Sequence, residues 1–86
     1  MPNNITIDRV ALAYFHGDPC FLQIITSQDA HGIVIPPDYK DRDLDTFLAA
    51  IHYALATITE ADTLTYTIQS FIDLKAAYDQ LTESNP

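Results

Sequence analysis

Asp41, Asp43 and Asp45 recur at every second position within DYKDRDLD, residues 38–45. Carboxylates at i, i+2 and i+4 have the spacing of the first three ligands of a calcium loop, whose oxygens wrap a hard cation. That loop also needs a glycine after the third acid, for its sharp turn, and a glutamate seven residues after the third acid as a bidentate ligand. Those positions are Thr46 and His52. The run therefore reads better as a helix cap followed by a solvated acidic turn, and such a turn can also meet a partner.

Other chemistry finds less support. His16, His31 and His52 are far apart and share no HxxxH or CxxC spacing, so no metal is expected. Cys20, the only cysteine, opens an apolar run and reads as a buried, inert thiol with no disulfide partner. There is no phosphate-binding loop and no GxSxG, and no cofactor is expected. An enzyme built on His16 and Asp18 with other acids lacks a recognisable pattern.

The 86 residues are enough for one domain, 1–86, with fraying expected at 1–4 and 83–86. Twelve acids against four bases give a net charge of −8. That disfavours direct contact with nucleic acid or anionic lipid, which need basic surface, and fits a larger partner with a basic surface. The same charge also serves solubility. MPNNITID lacks the basic and apolar regions of a secretory signal, and the longest uncharged run is too short to span a bilayer. A soluble cytoplasmic protein is expected.

The elements follow from hydrophobic period. Residues 5–15 suit a strand whose alternation slips at Asp8 and Arg9, as a bulge or a late start would make it. HGDP, 16–19, is a turn; 21–26 a second strand; SQDAHG, 27–32, another turn; 33–35 a third strand ended by Pro36 and Pro37. These predict an antiparallel meander. A helix starts within 38–45, capped by Asp43 or Asp45, with Leu44, Phe47, Leu48, Ile51, Leu55 and Ile58 on its apolar stripe. TLTYTIQ, 63–69, predicts a fourth strand with Leu64, Tyr66 and Ile68 on one face. SFID then reads as a capping box led by Ser70, and Phe71, Leu74, Tyr78 and Leu81 form the stripe of a last helix. The fold class is α+β in the order βββαβα, the first helix crossing over to bring the fourth strand parallel to a neighbour.

The first helix carries no charged side chain from Thr46 to Thr59. A helix apolar nearly all round is usually covered on both sides. Its Ala49, Ala50, Tyr53 and Ala56 are thus candidates for an interface with a second copy or a partner, or else a weakly hydrophobic exposed surface.

Three segments resemble the ribonuclease H-like family. AYFHG, 13–17, looks like its first-strand segment; LDTFLAAIHYAL, 44–55, is similar to its first helix; LTYTIQSFIDL, 64–74, resembles its fourth strand and next helix. Family members hold two divalent metals on clustered carboxylates. The corresponding positions here are His16, Thr46 and Gln69, the last followed by Ser70. The resemblance therefore implies a truncated, metal-free, inactive relative.

The expectation is a non-catalytic, acidic protein-binding module: an inhibitor or accessory protein docking on a basic surface. By class analogy, phage anti-defence proteins such as anti-CRISPR proteins, and immunity proteins, have this size and charge. The expected contacts are Asp38, Tyr39, Asp41, Asp43, Asp45 and Tyr53. The alternatives are a homodimer paired through the first helix or the edge of the fourth strand, and a nucleic-acid-processing enzyme of ribonuclease H-like ancestry.

Overall fold

The computed structural model describes residues 3–83. Its first three strands are β1 (Asn4–Phe15), β2 (Asp18–Thr26) and β3 (Ala30–Val34). They pair antiparallel, as the short connections between them predict. The slip at Asp8 is a bulge: Ile7 pairs with Thr26 and Arg9 with Ile25, leaving Asp8 as the extra residue. The bulge shifts the parity of β1, so Ile5 and Ile7 before it and Val10 after it all reach the core. β1 starts at Asn4 and not at Arg9.

The first hairpin closes over two residues. His16 and Gly17 have φ of 52° and 84°, positive at both central positions as in a type I′ turn. The second connection is shorter than expected, because His31 and Gly32 belong to β3. Thr26 organises it: the Thr26 hydroxyl donates to the Asp29 carbonyl at 2.7 Å and accepts from the Asp29 N–H at 3.0 Å.

A 3-10 turn, η1 (Tyr39–Asp41), leads into α1 (Leu44–Thr59). Asp43 is the N-cap, its Oδ1 accepting from the Thr46 N–H at 2.7 Å. α1 ends on Glu60, which is left-handed at φ 55°, with the Ala61 N–H reaching back to the Ala56 carbonyl. The chain then enters β4 (Thr63–Tyr66), parallel to β1 from Asn4 to Ile7. The mixed sheet has the order β3-β2-β1-β4. Asn3 and Asn4 are not loose ends: Asn3 bonds Asp62 and the Thr59 carbonyl, and Asn4 pairs with Thr63. Glu83 closes the last helix; the rest of the expected fraying, at 1–2 and 84–86, lies outside the described residues.

The expected strand over 63–69 is cut short. Residues 67–69 leave the sheet, and α2 runs Ile68–Glu83. Thr67, not Ser70, is the cap: the Thr67 Oγ1 accepts from the Ser70 N–H at 3.0 Å, and the Ser70 hydroxyl donates to the Thr67 carbonyl at 2.8 Å. Thr67 also donates its hydroxyl to the Asp8 carbonyl, anchoring the helix start on the β1 bulge. Ile68 consequently does not face the core beside Leu64 and Tyr66; it is 82% exposed. Ile58 also departs from the expected stripe and is half-exposed, outside the core cluster.

Both helices cover one face of the sheet. Val10, Leu22, Ile24 and Ile33 share a core with Phe47, Ile51 and Leu55 of α1 and Leu74, Ala77 and Leu81 of α2. Because β4 is short, the distal half of β1 is paired with β2 on one edge and has no strand on the other. α2 runs along that vacant edge. The Asp73 carboxylate accepts the Val10 N–H at 3.0 Å and pairs with Arg9 at 2.9 Å, and Gln80 reaches the Tyr14 hydroxyl. Asp73, the acid of the expected SFID capping box, is thus part of the sheet's hydrogen bonding.

Candidate partner-binding groove

The acidic run is largely occupied by structure. Asp38 pairs with Arg42 at 2.9 Å, and this hydrogen bond holds its carboxyl below the usual range. Asp43 is held low by hydrogen bonding from Thr46, the capping contact. Tyr39 is half-buried against the core, with Lys40 above its ring. Asp41 and Asp45 remain exposed, and their side chains make no hydrogen bond or ion pair among the described residues. Of the six expected contacts, Asp41, Asp45 and Tyr53 keep side chains free for a partner. Among the described residues, no three metal-ligating side chains gather into a set that could hold an ion.

Asp45 is not isolated. It sits one helical turn before Ala49 and about two before His52 and Tyr53, so all four share one side of α1. Ala49 is exposed, Tyr53 is 75% exposed, and Ala50 and Ala56 are half-buried. The alanine and tyrosine face is therefore uncovered in the single chain.

Beside this face opens a groove of about 360 Å³, lined by Leu48, Ala49 and His52 of α1, Tyr66 of β4 and Phe71 of α2. The walls are rings in series. His52 stacks on Tyr66 with centroids 5.8 Å apart, and Tyr66 stacks on Phe71 at 4.7 Å. The offset arrangement suits the ring quadrupoles. His52 Nδ1 lies 2.6 Å from the Tyr66 hydroxyl. Burial pushes the Tyr66 phenol up, so it keeps its proton through the neutral range. With a neutral imidazole the phenol donates to Nδ1, leaving the N–H on Nε2 as a donor.

The groove exists because of the early strand end. Helix capping by Thr67 turns the chain so that Phe71 comes back over Tyr66 instead of entering the core. Period alone assigns Tyr66 and Phe71 to the interior, so they are missing from the expected site. Ile68 and Ile72 continue the exposed apolar surface on the first turns of α2, at 82% and 55% exposure. The signal that marks them is the Thr67–Ser70 pair, a capping pattern placed three residues before the one read from Ser70.

The residues that the sequence resemblance matches to carboxylates, His16, Thr46 and Gln69, are scattered by role. His16 is at the tip of the β1–β2 hairpin, Thr46 is in the first turn of α1, and Gln69 donates to Asp73 within α2. Gln69 and Ser70 do not close the fourth strand. Cys20 is half-buried rather than buried, its Sγ 3.6 Å from the Ala13 carbonyl. No family model matches the chain, and neither a curated protein nor a solved structure matches it.

Proposed function

We propose that the chain is a non-catalytic, acidic protein-binding module that docks on a basic surface of a larger protein through the groove side of α1. The observation that carries this reading is the meeting of an open aromatic groove with an uncompensated acid. Tyr53 stands out beside Ala49, and Asp45 closes the same helix side toward the acidic turn. Interfaces of this kind bury an aromatic centre and surround it with a polar rim. The chain's charge of −8 favours a basic partner and steers its approach. An inhibitor or accessory role, of the phage anti-defence or immunity kind, is consistent with a small acidic docking domain.

A finer fold assignment belongs to the same proposal. The βββαβα order with β4 parallel to β1 supports a ribonuclease H-like domain, and the residues that the resemblance matches to its carboxylates, His16, Thr46 and Gln69, are not acids.

The test begins with affinity capture from the native lysate and salt elution. Against the captured partner, the double substitution Asp41→Asn, Asp45→Asn should weaken binding and flatten its salt dependence. Tyr53→Ala should weaken it at least about tenfold, the range of an aromatic anchor. Unchanged affinity in both variants sinks the reading. Salt-insensitive self-association abolished by Tyr53→Glu would instead favour a homodimer through α1.

A further inference from the structure

The sheet has a second face that neither helix covers. Along it lie Ala11 of β1, Phe21, Gln23 and Ile25 of β2, and Val34 of β3; Phe21, Ile25 and Val34 are 37%, 41% and 78% exposed. A sheet normally buries one face and wets the other with polar side chains. Here the wet face is apolar, and threonines Thr63 and Thr65 extend it onto β4.

Charge tells what covers it. The acids lie in the turns between strands, before and after α1, and along α2. The strands of this face carry acids only toward its ends, Asp8 at the bulge and Asp18 at the start of β2; between them Ala11, Phe21, Gln23, Ile25 and Val34 bring no carboxylate. At the centre of this face a basic protein would find no carboxylate to pair with, and a nucleic acid no cation. Two chains of charge −8 repel elsewhere on their surfaces, and here they can meet without opposing carboxylates.

The centre of the face is also self-complementary. Gln23 pairs across the sheet with Ala11 on one side and Gly32 on the other, so its amide rises between two small neighbours. It has no hydrogen-bond partner among the described residues. An amide both donates and accepts, so two of them related by a two-fold axis satisfy each other. Phe21 lies folded over Gly32, its Cδ2 3.4 Å from where a β-carbon would sit, and this keeps the face flat.

We infer that two copies of this chain pack face to face through these open sheet faces, with the Gln23 amides paired across a two-fold axis. The surface is distinct from the α1 groove, which stays free in the dimer.

Light scattering across a concentration series tests it on the full chain. Wild type should form a dimer that salt does not dissociate, because salt screens the repulsion between acidic surfaces. Gln23→Glu is nearly isosteric and exposed, yet sets two carboxylates against each other. It should weaken the dimer more than about tenfold. Ile25→Asp should do the same, with circular dichroism confirming that each variant remains folded. Tyr53→Glu should leave the dimer intact. A wild type monomeric throughout, a dimer that survives Gln23→Glu and Ile25→Asp, or one lost only in Tyr53→Glu would each overturn the inference.

Discussion

Single residues hold this fold at three unusual points. Glu60 adopts a left-handed conformation where glycine is preferred, and it places a negative charge at the negative end of α1. Glu60→Gly should therefore stabilise the protein by about 0.5–1 kcal/mol in urea unfolding. Thr67 caps α2 and ties it to the β1 bulge. Thr67→Ala should cost about 1–2 kcal/mol, and Thr67→Ser most of that less, since serine keeps the hydroxyl. Asp73 is the third point. Burial pushes its carboxyl up, but Arg9, the Val10 N–H and Gln69 outweigh that and hold it below the ordinary value of 3.8. A depressed folded-state pKa contributes stability that is complete above the unfolded value and lost as pH falls through the folded one. Thermal unfolding of wild type should thus soften as pH drops below about 4, and Asp73→Asn should show a shallower acid limb. Equal acid limbs would dismiss the assignment.

At the level of elements, legibility followed the period. β2 is apolar on both parities, so the sequence marks a strand but not its inner face; the structure turns Leu22, Ile24 and Thr26 inward and leaves Phe21 and Ile25 outside. The Asp8 slip was readable because a single inserted residue shifts the parity of every later side chain. α1 was readable from its stripe and its aspartate cap. The β4–α2 boundary was not. Thr63 to Gln69 alternates like one strand, and threonine favours strands, yet the Thr67 hydroxyl is worth more as a cap. That local competition hid Tyr66 and Phe71, and with them the groove. The acidic run illustrates the reverse: its residues were visible, but only three-dimensional pairing separates Asp38 and Asp43, which serve the fold, from Asp41 and Asp45, which do not.

Considered as a whole, the molecule is two layers thick, with helices on one side of a four-stranded sheet. Such a small core leaves little reserve: about 4–13 kcal/mol is typical for a domain of this length. Phe47 is fully buried at its centre, against the Tyr78 ring. Phe47→Ala should cost about 3–5 kcal/mol and leave a largely unfolded chain by circular dichroism. If the sheet-face dimer forms, the same variant should be rescued in part by raising protein concentration, because association adds to the stability of the folded state.

The Asp73–Val10 contact has one more consequence. Between paired strands an amide proton is received by a peptide carbonyl, whose basicity does not change with acidity in the working range; the N–H groups of Thr6 and Ala30, at strand ends, bond the Ser27 hydroxyl and the adjacent Asp29 carboxylate. At Val10 the amide proton is received by a side chain from another element. The exchange of that one proton with deuterated solvent therefore reports on the docking of α2 rather than on the sheet. Its protection should fade as pH falls below about 4, before that of Leu22 or Ile24, marking the far edge of β1 as the first seam of the molecule to open.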